Sequence, residues 1–355
     1  MSQSPSLRGI SAPQLTPFHT DGSVNYEEYT KLTQFITKAG IRGVFVCGTS
    51  GEFINLTLEE RKKLLTAAIK GAADDTFILF NTTAMDKADM ADLFAWARSE
   101  GAHAASVTAP YYHPYDEAAL VSYFQEASKL SGSLPLYLYN IPGMTHNPIT
   151  PKVMQQVCDT CPNVVGLKDS SMDFITFQEF QCLDLPQGFE LITGNDAQVL
   201  PVLQSGGDGG IVAMAAVFPA LCQQLWDHYQ AGHLDQARQV QKQLLQLRGL
   251  VRKVMPIMSH KKMLEMQGFH MGPPPASPSA PSLLRRRLWW RTACGPFWAT
   301  AYDQLWLSLV RSIGCHHPGP HPGDSAGDRG GDLPLPHPRR RTVAGGGAGR
   351  ADAPD

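Results

Sequence analysis

No stretch of this 355-residue chain is apolar for long enough to cross a bilayer. Neither sign of charge dominates: 30 Lys and Arg stand against 32 Asp and Glu, a formal charge of −2. That near-balance gives no general attraction to nucleic acid or to an anionic membrane surface, so neither is expected as a partner. The seven cysteines are scattered, and the N-terminal residues Met1 to Arg8 carry no apolar signal core. A reducing, cytoplasmic compartment is therefore the expectation. Cys158 and Cys161 form a C-x-x-C, but no second pair accompanies it, and neither a redox nor a zinc role is expected.

What the chain does contain is alternation. Short apolar runs that read as strands fall at 9–15, 43–46, 77–80, 104–108, 136–139, 164–168, 190–193 and 209–213. Helical spacing separates them, at 26–39, after Thr57, and at 87–99, 117–130, 151–158, 175–182 and 199–204. Two helix starts are well signalled: Thr57 with Glu60 three residues later is a capping box, and Thr150-Pro151 places proline where its missing N–H costs nothing. Eight such units predict an α/β fold, a (β/α)8 TIM barrel followed by C-terminal helices, with a doubly wound open sheet as the structural alternative. The expected division is a catalytic barrel over 1–218, a helical region over 219–275, and a tail over 276–355. The tail is rich in Pro, Gly and Arg, with Arg285-Arg286-Arg287 and Arg339-Arg340-Arg341, and disorder is expected there. A shifted reading frame in GC-rich DNA yields the same composition, which resequencing of the coding DNA tests.

One strand ends unusually. Val164-Val165-Gly166-Leu167 runs into Lys168, followed at once by Asp169-Ser170-Ser171. A lysine at the tip of a buried strand either snorkels to solvent or is desolvated, and a desolvated amine loses affinity for its proton. The neutral amine can then attack a carbonyl and form a Schiff base. On a barrel of this kind the functional residues gather at the C-terminal ends of the strands. Those positions hold Thr49 and Ser50 after the second strand, Tyr111 and Tyr112 after the fourth, Tyr139 after the fifth and Lys168 after the sixth. Gly194 and Asp196 follow the seventh, and Ile211 lies in the eighth.

Over about residues 7–275 the sequence resembles the class I pyruvate-dependent aldolases that include dihydrodipicolinate synthase and N-acetylneuraminate lyase. The resemblance rests on Gly48-Thr49-Ser50-Gly51-Glu52, Tyr139-Asn140-Ile141-Pro142 and Gly166-Leu167-Lys168-Asp169, in that family's order and spacing. It implies that Lys168 forms the Schiff base with pyruvate or a 2-keto acid and that Tyr139 is the general acid/base. Thr49 would connect Tyr139 to Tyr112, which in the family reaches in from a neighbouring subunit of a homotetramer, a dimer of dimers. Ser50 would hold the substrate carboxylate, with the Ile211 carbonyl beside the site and Gly194, Asp196 and Met144 among the substrate-binding positions. No metal or organic cofactor is implied. The departures bear on substrate. Met144 stands where the lysine-pathway synthases carry Arg, Ala197 replaces the second acid of the sialate lyases, and Ala213 replaces a serine that those lyases use. A 2-keto-3-deoxy sugar acid is therefore the expected substrate type. A 4-hydroxy-tetrahydrodipicolinate synthase or a 2-keto-3-deoxy acid dehydratase using the same lysine is the alternative.

Overall fold

The computed structural model describes residues 6–252 and 256–272. Eight parallel strands close on themselves in chain order: β1 (Gly9–Pro13), β2 (Gly43–Val46), β3 (Phe77–Asn81), β4 (Ala104–Thr108), β5 (Leu136–Asn140), β6 (Val164–Asp169), β7 (Glu190–Thr193) and β8 (Gly209–Ile211). β8 returns to β1 through the register Gly9 to Gly209 and Ser11 to Ile211, which seals the barrel and rules out the open sheet. The connecting helices are α1 (Tyr26–Lys38), α2 (Leu58–Gly71), α3 (Lys87–Glu100), α4 (Glu117–Ser131), a short α5 (Pro142–Thr145), α6 (Pro151–Thr160), α7 (Phe174–Gln181) and α8 (Val199–Gln204). Three more pack beyond β8: α9 (Pro219–Gln230), α10 (Leu234–Val251) and α11 (Pro256–Glu265).

Local chemistry sets these boundaries. Thr57 accepts from the Glu60 N–H while the Glu60 carboxylate takes the Thr57 N–H, the reciprocal pair expected from the sequence. Asp86, Asp116, Thr150 and Asp173 cap α3, α4, α6 and α7 through their side chains alone, each accepting from N–H groups that a helix start leaves orphaned.

The strands are buried on both faces, so their residues divide into two layers with period two, except at the irregularity in β6, where the half-buried Val165 interrupts the alternation. In β2, Val44 and Val46 join the large apolar layer under the helices, while Phe45 joins the small group that fills the lumen. In β5, Leu136 and Leu138 face outward and Tyr137 and Tyr139 inward. The lumen is thus packed with side chains, as in barrels of this size.

Three expectations need correction. The eighth strand stops at Ile211 rather than 213, because the chain turns at Val212 into a 3-10 segment (Ala213–Ala216) whose Met214 N–H is drawn to the Asp196 carboxylate. The first strand ends at Pro13, although Gln14 still donates to the Phe45 carbonyl. Helix α5 was not anticipated; four residues are too few to display a period, and Pro142 at its first position starts it. The tail expected over 276–355 lies outside the described residues. No described helix is long and apolar enough to cross a membrane.

Candidate active site

Lys168 sits near the C-terminal end of β6, paired across the ladder with Tyr139 of β5 and Ile192 of β7. Its side chain points into the lumen and is only 3% exposed, so it does not snorkel to solvent. The Nζ lies 3.9 Å from the centroid of the Tyr139 ring and 4.5 Å from that of Phe45. The two rings meet edge to face at 5.7 Å, forming a wall beside and beneath the amine. Burial pulls the Lys168 pKa below the usual lysine value; the Tyr139 phenol and the Asp196 carboxylate oppose that shift without cancelling it. This favours the neutral, nucleophilic amine.

The turn after β2 approaches from the other side. The Thr49 hydroxyl lies 3.2 Å from the Tyr139 hydroxyl, within hydrogen-bond reach, and either can donate. Ser50 follows in the same half-buried turn. After β7, Gly194 leaves the space that Lys168 occupies: a Cβ there would stand 3.1 Å from Lys168 Cε and would collide with the Ser170 hydroxyl. Asp196 is buried, and its carboxylate accepts from the Met214 N–H at 2.8 Å. Desolvation raises the Asp196 pKa, with that N–H, Arg248 and Lys168 pulling the other way. Ile211 is buried in the lumen group together with Tyr139 and Phe45.

Two motif residues orient rather than face the lumen. Asn140 donates to Asp169 at 2.7 Å and accepts from the Ile149 N–H, tying the end of β5 to the end of β6. Asp169 also accepts from the Ser171 hydroxyl. Two predicted positions stand apart from this centre. Tyr112 is 82% exposed, adopts a left-handed φ of 82° and packs its ring edge to face with His113. Met144, in α5, is 65% exposed. Sequence reasoning missed Phe45; its alternation with Val44 and Val46 in β2 is the signal that would have directed it into the lumen. Among the described residues no three His, Cys, Asp or Glu side chains gather as metal ligands.

A desolvated lysine at the C-terminal mouth of a closed (β/α)8 barrel, with a phenol and a turn hydroxyl beside it, defines an enzyme of the class I pyruvate-dependent lyase type. The comparisons make this specific. The model of the dihydrodipicolinate synthetase family matches residues 6–287, and the chain belongs to that family. It is 30% identical over 270 residues to a 4-hydroxy-tetrahydrodipicolinate synthase of Thermoanaerobacter sp. (strain X514), covering 76% of this chain and 90% of that protein. It is also 30% identical over 243 residues to an uncharacterised DapA-like lyase of Pyrococcus horikoshii, covering 68% and 83%. Among solved structures, YagE of Escherichia coli K12, a prophage protein of the dihydrodipicolinic acid synthase family in complex with pyruvate, superposes with a TM-score of 0.71 at 27% identity over 81% of this chain and 97% of that one.

Proposed function

We propose that the protein is a Schiff-base aldolase that cleaves or forms a 2-keto acid with pyruvate as one component, its substrate a 2-keto-3-deoxy sugar acid. The observation that supports this reading is the Lys168 amine, buried against two aromatic rings, where desolvation lowers its affinity for a proton. The amine attacks the keto carbon of the substrate; the carbinolamine so formed expels water, and the iminium that remains is an electron sink. When the C3–C4 bond breaks, its electron pair enters that sink as an enamine and the aldehyde leaves. Tyr139 carries protons to the carbinolamine oxygen and from the aldol hydroxyl. Thr49 holds the Tyr139 phenol in place and passes the proton on, toward Tyr112 supplied by a second copy of the chain in a homotetramer. Ser50 and the N–H groups of its turn hold the substrate carboxylate. By the resemblance the Ile211 carbonyl borders the site, and Asp196 takes hydroxyls of the aldehyde portion.

The test is an intact-mass spectrum after incubation with pyruvate and borohydride, followed by peptide mapping. A reduced pyruvyl adduct on Lys168 is expected; an unmodified Lys168 in the folded protein would overturn the reading. A second reading, 4-hydroxy-tetrahydrodipicolinate synthase, draws on the name of the Thermoanaerobacter relative. Against it stands Met144, in the position where the resembled synthases bind a carboxylate with Arg. Met144→Arg is expected to leave pyruvate trapping unchanged and to raise the rate with a carboxylate-bearing aldehyde. Equal rates for charged and uncharged aldehydes in both proteins would remove position 144 from the substrate argument.

A further inference from the structure

Glu52 closes the Gly48-Thr49-Ser50-Gly51-Glu52 motif, and no step above uses it. Its N–H donates to the Thr49 carbonyl at 3.1 Å, which makes residues 49–52 a single turn, and its backbone is left-handed with φ of 61°. Its side chain turns away from the lumen and is buried. The Oε1 atom lies 2.5 Å from Nζ of Lys261, on α11, and the two side chains are 5% and 2% exposed. The Lys261 ammonium also sits 4.4 Å over the ring of Phe18, in the loop after β1. The same loop holds the turn from above, with the Thr16 hydroxyl donating to the Gly51 carbonyl at 2.7 Å.

A buried ion pair is a costly way to join two elements. Apolar side chains of the same volume often serve stability as well or better, because they need no desolvation of charge. What the pair supplies is a short tether from a helix outside the barrel to the turn that carries Thr49 and Ser50. From that turn the chain of contacts continues through the Thr49 hydroxyl to the Tyr139 phenol at 3.2 Å, and on to the ring against Lys168.

We propose that Glu52 and Lys261 are positioning residues: through their buried contact, helix α11 sets the place of the Thr49 hydroxyl against Tyr139, and so the efficiency of proton transfer at the Schiff base. This rests on the assignment of Thr49 and Tyr139 to the proton path. The two claims separate in one set of measurements that needs pyruvate alone. The readouts, on the full-length chain, are the borohydride-trapped adduct at Lys168 and the rate at which the methyl protons of pyruvate exchange for deuterium, followed by NMR. Trapping reports the imine; exchange reports proton removal from it.

The variants are Glu52→Met/Lys261→Met, which replaces both charges by apolar side chains of similar volume, Thr49→Val, and the combination of all three. The double variant is expected to fold with a Tm near wild type, to trap pyruvate on Lys168 to the same extent, and to exchange about tenfold or more slowly, as displaced catalytic groups do. In the Thr49→Val background the same double change is expected to slow exchange by less than about threefold, since a tether acting through Thr49 has nothing left to position. A wild-type exchange rate in the folded double variant overturns the proposal, and so do effects that multiply in the combination. Glu52→Asp guards against a double variant that fails to fold: it keeps both charges and withdraws the carboxylate by one methylene. Slower exchange that disappears beside Thr49→Val supports the tether, and an unchanged rate overturns it. Failure of the wild-type chain to take the adduct would instead strike at the Schiff-base assignment itself.

Discussion

A buried ionisable side chain stands at each end of the barrel lumen, Glu190 at one and Lys168 at the other, and the fold treats the two in opposite ways. At the N-terminal end Glu190, in β7, accepts from the Tyr137 hydroxyl at 2.6 Å, from the Leu7 N–H at 3.0 Å and from the Ser6 hydroxyl. At the C-terminal end Lys168, two residues further along the ladder and so roughly 7 Å away, faces two aromatic rings. A carboxylate with three donors is a closing plug with nothing left to react. An amine stacked against aromatic rings and desolvated is held ready for a carbonyl. Gly166 keeps the two layers apart: a Cβ there would stand 2.4 Å from the Tyr137 ring, so only glycine lets that tyrosine reach Glu190 beneath the lysine.

Deletions at the two ends are expected to have opposite consequences. Lys168→Ala removes the nucleophile, and pyruvate trapping and turnover are expected to fall to background while the circular dichroism spectrum stays that of the wild type; turnover near wild type would show that the lysine was misassigned. Tyr139→Phe removes one hydroxyl at the reactive end and is expected to lower kcat by roughly 10²–10⁴-fold. The same deletion at the plug, Tyr137→Phe, leaves the buried Glu190 one donor short. It is expected to cost about 1–3 kcal/mol of stability in urea unfolding, with trapping at Lys168 intact. A large loss of activity without loss of stability would mean that the plug takes part in the chemistry.

The burial of Lys168 also makes stability depend on pH. Burial lowers the Lys168 pKa from its ordinary 10.5, so the folded chain holds this proton less tightly than the unfolded one. Between the two values unfolding takes up a proton, and the stability contributed by this group rises with pH. Lys168→Met has no such proton. Its advantage in Tm over wild type is therefore expected to be largest at the acid end of that window and to shrink as pH rises toward 10.5. A gap that is constant or widens with pH would show that Lys168 is not destabilised as an ammonium.

Much of this was legible beforehand, for local reasons. Strands buried on both faces read as continuous apolar runs, so Val164 to Leu167 read as a strand, and the polar break at Lys168 stood out against them. The Thr57 and Glu60 pair marked a helix start because capping is settled within four residues. Glu190 was not legible. It stood as the polar first residue of an apolar strand, and nothing near it in sequence announces that Ser6, Leu7 and Tyr137 converge on it. Lys261 was equally silent, since its partner lies 209 positions away and its neighbour Lys262 has the same chemistry.

By itself, then, the sequence determined the alternation of strands and helices, the strand tips on which Thr49, Tyr139, Lys168 and Asp196 fall, and the family motifs, because these depend on period, caps and short-range spacing. Only the tertiary structure decided which tips share the lumen with Phe45, that Lys168 is stripped of water there, and that α11 reaches back to Glu52. The first two follow from the pairing of β8 with β1, which closes the barrel, and the third from the packing of α11 outside it; each brings together residues that no local rule relates.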